Sequence, residues 1–237
     1  MGNCLKPRDP LEEILPRESG IDASAVRDAN PPIICLIGGP GTSQSERIIV
    51  VIFFSVTQSI KVTEKFRLVN IISSDILRDE VHTRSVKGVV LARYMSQGRL
   101  VPADVLIELI KTKLLAHLNT ARGFLLVGFP REKDQGKLFE RQVKPFDLLI
   151  YLSARNSVLR ERVMAKAVTL TERLEASEEK MKERIKGFHK MNKPILRHYK
   201  NKLAVINAEN DDEKVFEDIC RAIEKTLKIV SPINVIA

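Results

Sequence analysis

The stretch that decides the fold is PIICLIGGPGTSQSER, from Pro32 to Arg47. It begins with a β-branched apolar run, Ile33–Ile37, which predicts a buried strand. The run then breaks into Gly38-Gly39-Pro40-Gly41, and a helix is expected from about Gln44. A strand that ends in clustered glycines before a helix is the layout of a phosphate-binding loop (P-loop), because inward-turned backbone N–H groups and a helix N-terminus both attract phosphate.

The loop lacks the positive charge that its template supplies. In the template G-x-x-x-x-G-K-[ST], Gly38 fills the first position. Ser43 then stands at the second glycine and Gln44 at the lysine. The frame of a phosphate loop is therefore present without its cation.

Composition bounds the fold class. A chain of 237 residues that is 44% hydrophobic can bury one good core, so a single α/β domain is expected over residues 32–228. A polar, mobile leader is expected over residues 1–31 and an apolar tail over residues 229–237. The net charge of +9 suits phosphate-rich ligands, nucleic acid or an anionic membrane. An aromatic content of 5% and the lack of an aromatic-and-basic RNA-binding motif argue against single-stranded nucleic acid.

The cysteines favour a reducing compartment. Cys4, Cys35 and Cys220 are an odd set without a CxxC pair, which predicts neither disulfides nor a metal site, and Cys35 is expected to be a buried hydrophobe. Gly2 and Cys4 form a coherent pair for myristoylation and palmitoylation, although the motif asks for Ser or Thr where Lys6 stands. The alternative is an unmodified leader. A cytoplasmic protein is expected, held at the membrane where Gly2 and Cys4 are acylated.

Strand and helix patterns alternate along the chain. Strands are predicted at Ile33–Ile37, Leu68–Ile72, Gly123–Val127, Leu148–Leu152 and Leu203–Ile206. Helices are predicted at Lys87–Met95, Pro102–His117, Lys133–Val143, Ser157–Lys166, Glu178–Lys200 and Glu213–Leu227, with Ser73-Ser74-Asp75 capping a further helix. Ile48–Val56 reads as a buried helix or a strand. The alternation implies a parallel sheet covered on both faces, in which ligands bind beyond the carboxyl ends of the strands. The Gly38 loop, Ser73–Arg78 and Gly128–Arg131 are expected to converge there.

Several motifs in one order resemble the adenylate kinase family, most closely its short-lid cytosolic isoenzymes. The resemblance covers about residues 33–227. It rests on Gly38-Gly39-Pro40-Gly41 in the phosphate loop, Ser73–Arg78 (S-T-G-D-L-L-R in the family), Gly98–Pro102 (G-x-L-V-P), Gly123–Arg131 with Gln135 (G-F-L-I-D-G-[FY]-P-R-x-x-x-Q), Arg173 with Arg184, and Ile206–Glu209 (V-N-A-E).

The resemblance implies a fold and a reaction. The fold is a three-layer α/β/α P-loop fold with a five-stranded parallel sheet, an AMP-binding helical insert and a short lid. The reaction is ATP + AMP ⇌ 2 ADP, with Mg²⁺ entering together with ATP. AMP, ADP and ATP are the expected partners; a monomer and no nucleic-acid partner are expected, and no residue is assigned to a metal.

The resemblance also implies residue roles. AMP is expected at Ser73, Arg78, Gly98, Val101, Gly128, Arg131 and Gln135. ATP is expected at Gly39, Gly41, Thr42, Ser43, Gln44, Ser45, Glu46, Asn207 and Ala208. The transferring phosphoryl group is expected among Arg131, Arg162, Arg173 and Arg184.

The chemistry supports the arginine assignments independently. Phosphoryl transfer needs positioning and positive charge, and the planar guanidinium binds phosphate through two N–H groups. The alternative is that these arginines are solvated surface charges, as is common in a basic chain.

Three departures from the family fall on the ATP side. Gln44 replaces the phosphate-binding lysine, Glu46 replaces a threonine, and Val127 replaces a strand-end aspartate that helps to place the magnesium shell. The chain is also about ten residues longer than the family between Gln44 and Arg78. The excess falls in the uncharged run Ile48–Gln58, which is either a real insertion or translated intron. The two leading hypotheses are an adenylate kinase impaired on its ATP side and a non-catalytic AMP or ADP sensor or scaffold. A nucleic-acid binder recruited by net charge is a third, weaker hypothesis.

Overall fold

A computed structural model describes residues 20–38, 50–166 and 178–228. The strands are β1 Ile33–Ile37, β2 Val69–Ile72, β3 Phe124–Val127, β4 Leu148–Ser153 and β5 Leu203–Asn207. The helices are α1 Ser24–Ala29, α2 Val50–Phe66, α3 Ser73–His82, α4 Val86–Ser96, α5 Ala103–His117, α6 Lys133–Gln142, α7 Asn156–Lys166, α8 Glu178–His198 and α9 Asp212–Leu227. The bounds of β1 are those predicted, and each other strand differs from its prediction by one residue at an end.

The strands form one parallel sheet in the order β2-β3-β1-β4-β5. The central strand β1 is buried on both faces, as a parallel sheet covered by helices requires. Ile33, Cys35 and Ile37 face one apolar cluster, whereas Ile34 and Leu36 face the other. The predicted five-stranded α/β/α fold is thus confirmed, and helices lie against both layers of core.

The ambiguous run Ile48–Val56 is helical where it is described, because α2 begins at Val50 and continues to Phe66. The predicted start of this helix near Gln44 lies outside the described residues. On its buried side, α2 places the fully buried Gln58 and Ser59. The amide of Gln58 donates to the carbonyl of Asp212 at 2.9 Å, which joins α2 to the start of α9.

The predicted cap at Ser73-Ser74-Asp75 is wrong. Helix α3 begins at Ser73 itself, its N-cap residue is Ile72, and no side chain caps it. Because Ser73 already has helical backbone geometry, its side chain does not occupy the N-cap position, from which a hydroxyl oxygen accepts hydrogen bonds from the N–H groups of the first turn. The Ser73 hydroxyl donates instead to the carbonyl oxygen of Gly128 at 3.1 Å.

Residues 20–31 belong to the folded body, which differs from a mobile leader that extends to residue 31. Helix α1 buries Val26, and the preceding Ala23 is also buried. Residues 1–19, with Gly2 and Cys4, lie outside the described residues, so the leader and its acylation remain expectations for that part.

Two buried lysines hold this segment by its backbone. Lys111, 4% exposed, donates to the carbonyl of Ile21 at 3.0 Å and to Glu108 at 2.6 Å, and the same carboxylate accepts from the N–H of Ile21 at 2.7 Å. Lys144 donates to the carbonyl of Pro31 at 2.9 Å. These hydrogen bonds give each buried ammonium group an acceptor, and they give the backbone carbonyl groups of Ile21 and Pro31 a donor.

Two further features concern the cysteines and the membrane. Cys35 and Cys220 are buried free thiols, and burial raises the pKa of Cys35 well above its ordinary value, so this thiol is an inert core residue. Among the described residues, no helix combines the length and the apolarity that crossing a bilayer requires.

We expect Lys111→Met to lower the free energy of unfolding by about 2–3 kcal/mol, because it leaves Glu108 without its cation and the Ile21 carbonyl without its donor. The matched control is Lys113→Met on the same helix. Lys113 is 45% exposed and lies 3.7 Å from Asp79, so its loss should change the stability by less than about 0.5 kcal/mol. Urea unfolding of both variants measures the difference, and equal losses would contradict the proposed attachment.

Candidate functional site

The ends of β1, β2 and β3 meet at one edge of the sheet. Val127, the last residue of β3, pairs with Ile72 on one side and with Leu36 on the other. The next residues along the chain, Ser73 and Gly128, are therefore neighbours. The sequence predicted this convergence, and the structure places both residues at the carboxyl edge, where parallel sheets bind ligands.

Gly128 connects these strand ends through its backbone. Its N–H donates to the carbonyl of Leu36 at 2.9 Å. Its carbonyl accepts from the Ser73 hydroxyl at 3.1 Å and from Nε of Arg131 at 3.2 Å. Its φ is +72°, and an added Cβ would lie 2.9 Å from the Ser73 hydroxyl oxygen. Both the positive φ and the close approach require glycine at this position.

Arg131 is held in place by the short turn that follows Gly128. A cis peptide joins Phe129 to Pro130, and the N–H of Arg131 donates to Oε1 of the buried Gln135 at 2.8 Å. Arg131 is partly exposed, but the surrounding protein removes water from its guanidinium and lowers its pKa from 12.5 to about 10. This pKa remains far above neutral pH, so the group is a positioned cation beside the sheet edge.

Arg78 lies one and a half turns into α3 and forms an ion pair with Asp75. Both side chains are about half exposed, at 40% for Arg78 and 46% for Asp75. An ion pair this exposed contributes little stability, so the guanidinium can exchange the carboxylate for a phosphate at low cost. Arg78 lies on the helix that starts beside Gly128, and its guanidinium is paired with Asp75.

A pocket opens next to Arg131. Its wall combines apolar side chains with a few polar ones: Ser74, Leu77, Met95, Arg99, Leu100, Val101, Leu106, Arg131 and Gln135. The free space is about 30 Å³, far below the several hundred cubic ångströms of a typical ligand pocket. A nucleotide-sized ligand would enter only if these side chains move apart.

The pocket contains residues that the sequence did not single out. Val101 was predicted, and Gly98, with φ +67°, ends the turn after α4 that leads to it. Arg99 was not predicted; its guanidinium lies 4.8 Å over the ring of Tyr94 and donates to Gln97 at 3.3 Å. Its one sequence signal is its place inside the G-x-L-V-P stretch.

Most of the predicted phosphate loop lies outside the described residues, which stop at Gly38 and resume at Val50. Gly39, Gly41, Thr42, Ser43, Gln44, Ser45 and Glu46 lie outside the described residues. Gly38 is described, and a Cβ added to it would lie 3.5 Å from Cβ of Ser55 and 3.6 Å from Cδ1 of Leu152. The part of α2 that stands against the end of β1 is therefore the turn around Ser55.

Asn207 and Ala208 follow β5 at the same edge of the sheet. Ala208 is buried and its N–H donates to the carbonyl of Ser153 at 2.8 Å, which fixes the backbone after β5 to the end of β4. Asn207 is exposed, and its side-chain oxygen accepts from the N–H of Glu209 at 3.0 Å. Glu209 in turn accepts from Nε of Arg155 at 2.7 Å. These bonds give the loop after β5 a fixed backbone.

The remaining predicted arginines are only partly described. Arg162 lies on α7 and Arg184 on α8, but their side chains are outside the described set, as is the whole of Arg173. Val127 is 2% exposed, so the end of β3 presents a buried apolar side chain.

The donor set offers little to a magnesium ion. Mg²⁺ in phosphoryl-transfer sites is held by one or two carboxylates together with substrate phosphates. Over residues 20–38, 50–166 and 178–228, no cluster of three His, Cys, Asp or Glu side chains is suited to a metal. Val127 stands where the family resemblance implies a strand-end aspartate.

Comparison with known proteins agrees with this geometry. The sequence model of the adenylate kinase family matches residues 55–204. Adenylate kinase 1 of Drosophila melanogaster is 33% identical over 218 residues, 92% of this chain and 90% of that protein. Adenylate kinase isoenzyme 1 of Gallus gallus is 32% identical over 81% of this chain and 94% of that protein, and the Homo sapiens isoenzyme 31% identical over 79% and 92%.

The family match begins at Ser55, inside the run Ile48–Gln58. Residues 55–58 thus belong to the region that the family model matches. From the parallel sheet, the Gly128 turn and these sequence similarities together, the chain belongs to the adenylate kinase family.

Proposed function

We propose that this chain binds AMP in the pocket beside Arg131 and that its transfer of phosphoryl from ATP to AMP is impaired on the ATP side. The observation that carries the proposal is the bonding of Gly128, which joins Ser73 and Arg131 at the carboxyl edge of the sheet. A desolvated cation next to the ends of two strands and the start of a helix suits the phosphate of a nucleoside monophosphate. The relatives are named adenylate kinases, which agrees with AMP as the ligand.

In the proposed AMP pocket, arginines supply the positive charge and other side chains supply the apolar contacts. Arg131 is oriented by Gln135 and by the Gly128 carbonyl, so it meets a phosphate without first losing much conformational freedom. Arg78 adds a second guanidinium once it releases Asp75. The apolar side chains of the same pocket then contact the base and ribose. Because its free space is only about 30 Å³, AMP binding must separate α4 from α3 or α5.

The donor side lacks its cation in both possible registers of the loop. When the template is counted from Gly38, the lysine position holds Gln44. When the template is instead aligned so that its lysine falls on the α2 residue against Gly38, the lysine position holds Ser55. A charge pair at 4 Å is worth about 4 kcal/mol at an effective dielectric constant of 20, so loss of one attraction slows transfer by orders of magnitude. In the first register, the carboxylate of Glu46 adds a repulsion.

We expect Arg131→Ala to weaken AMP binding at least 30-fold, because it removes a desolvated, charge-assisted contact worth about 2–3 kcal/mol. Isothermal titration calorimetry with AMP measures the effect. Arg141→Ala is the matched control, since Arg141 is exposed at the end of the helix that follows the same turn. Its affinity should stay within twofold of the unmodified protein. Equal AMP affinity in all three proteins would rule out this pocket.

We expect a double-mutant cycle to show that Ser73 and Gly128 are coupled. Gly128→Ala should lower the free energy of unfolding by about 1–3 kcal/mol, because its Cβ meets the Ser73 hydroxyl at a positive φ. Combined with Ser73→Ala, the loss should be smaller than the sum of the single losses, since the close contact is gone. Gly187→Ala, on an open face of α8, is the control and should be neutral or stabilising. Urea unfolding gives all four values.

We expect the unmodified protein to turn over at least 100-fold more slowly than the 1–100 s⁻¹ usual for kinases, in a coupled ADP assay with AMP and Mg-ATP. Two variants test the two registers. Gln44→Lys with Glu46→Thr restores the loop counted from Gly38, and Ser55→Lys restores it in the register of the helix contact. Recovery in one of them identifies the register that the protein uses.

The same assay separates the impaired kinase from the non-catalytic alternative. Ordinary turnover by the unmodified protein would contradict impairment. AMP binding that depends on Arg131, with no turnover in any variant, would instead support an AMP or ADP sensor.

A further inference from the structure

The positive charge of the chain is concentrated in one segment. Residues 184–208 contain seven Lys or Arg residues and two His residues but no Asp or Glu. The remaining residues carry 32 basic and 30 acidic side chains, which is close to balance. The net charge of +9 therefore resides mostly on the second half of α8 and the residues that follow it. Like charges at helical spacing lower the stability of a helix.

Two of these charges, Lys193 and Arg197, lie on one flank of α8, and a third, Lys200, lies just beyond the end of this helix at His198. Lys193, Arg197 and Lys200 lie along the side of a groove of about 680 Å³, all three as exposed residues. This groove, called the α8 groove below, has no wall residue in common with the pocket beside Arg131. It is therefore a separate feature of the surface.

These three cations have no partner among the residues that the structure describes. Lysines elsewhere in the chain form pairs, such as Lys61 with Glu213 at 3.2 Å and Lys65 with Glu224 at 3.1 Å. Even Lys202, the last cation of the same basic segment, lies 3.7 Å from Glu140. The α8 groove thus presents positive charge that no described residue neutralises.

The floor of the α8 groove is apolar. Tyr151 and Leu196 pack into the core beneath it, and Tyr151 is 8% exposed. Next to Tyr151 in the sheet register stands Val205 of the edge strand β5, which is 61% exposed. A ligand of this surface must therefore bring negative charge together with apolar side chains.

Asn192 adds a polar group that lacks a partner. It lines the α8 groove and is 5% exposed; its amide donates to the carbonyl of Phe188 at 2.8 Å, whereas its carbonyl oxygen accepts no hydrogen bond. Buried acceptors are normally satisfied. This oxygen is itself buried, so it marks a polar point in the wall beneath the cations of the α8 groove.

We propose that the α8 groove binds an acidic, extended segment of a partner protein. Along α8, the rise from Lys193 to Arg197 is about 6 Å, and Lys200 lies just beyond the end of this helix. Side chains on one face of an extended peptide repeat every 6–7 Å or so, within reach of long Lys and Arg side chains. Carboxylates at alternate positions meet the three cations, and the intervening apolar side chains cover Tyr151, Leu196 and Val205.

The same observations disfavour other anionic partners. A flat membrane meets protruding surfaces, whereas these cations flank a recess. Single-stranded nucleic acid binds through stacking on exposed aromatic rings, and the tyrosine of this groove is almost wholly buried.

The test uses the full chain and a fluorescent ten-residue peptide of alternating glutamate and valine. Anisotropy at 50 mM salt should show saturable binding, and a peptide with glutamine for glutamate should bind at least tenfold more weakly. Lys193→Glu with Arg197→Glu should weaken binding of the acidic peptide at least tenfold, because two attractions become repulsions. The control, Arg122→Glu with Lys225→Glu, makes the same change in net charge at exposed residues elsewhere.

Each other outcome overturns the proposal. Equal weakening in both double variants means attraction to the overall charge. No binding of the acidic peptide by the unmodified protein excludes the site. Tighter, groove-dependent binding to phosphatidylserine vesicles or to oligo(dT) than to the peptide assigns the surface to a membrane or to nucleic acid. Urea unfolding of each variant confirms that all of them fold.

Discussion

The backbone of Gly128 is the point on which the site depends. Its N–H is tied to β1 through Leu36, and its carbonyl receives both the Ser73 hydroxyl and the Arg131 guanidinium. One peptide group thereby sets the relative positions of a buried central strand, the start of α3 and a desolvated cation. Since β1 is buried on both faces, it cannot shift without disturbing two layers of core. The rigidity of the sheet is thus passed directly to the residues that meet a ligand.

This arrangement explains why the site has one fixed and one movable part. Arg131 and Gln135 sit on a short turn between a strand and a helix, and both are held by hydrogen bonds. The opposite wall comes from α4 and the turn after it, where Arg99 and Met95 close the space. Helices packed by side chains move more easily than a strand end held by backbone bonds. A ligand would therefore enter by displacing α4 and the turn after it, while the turn that carries Arg131 stays in place.

Sequence patterns predicted the features that depend on residues close together in the chain. The bounds of β1 follow from an apolar run between Pro32 and Gly38, and the Gly128 turn follows from its motif. The predicted cap at Ser73 failed because the helix begins one residue earlier than the pattern suggested, with Ile72 at the N-cap, and the Ser73 hydroxyl donates instead to the Gly128 carbonyl. Helix α1 was missed because six residues carry little periodicity, and its anchors, such as Lys111, are far away in sequence. Arg99 was missed because an exposed arginine in a basic chain looks like any other; only the fold places it over Tyr94.

In this chain, the stability of the fold depends little on the loop that would bind the donor phosphates. The resemblance implies an excess of about ten residues between Gln44 and Arg78, yet doubling the length of a loop adds only about 0.6 kcal/mol to the entropy of closing it. The contacts that hold α2, such as Gln58 with Asp212 and Ser59 with Asn70, lie at or beyond the end of the uncharged run Ile48–Gln58. Transfer of a phosphoryl group, by contrast, needs a cation within a few ångströms of the donor phosphates, because the interaction falls with distance and with solvent access. A longer loop that is nearly neutral for folding would therefore be severe for catalysis. Under the function proposed above, the sequence keeps the adenylate kinase fold while the loop loses the charge that phosphoryl transfer needs.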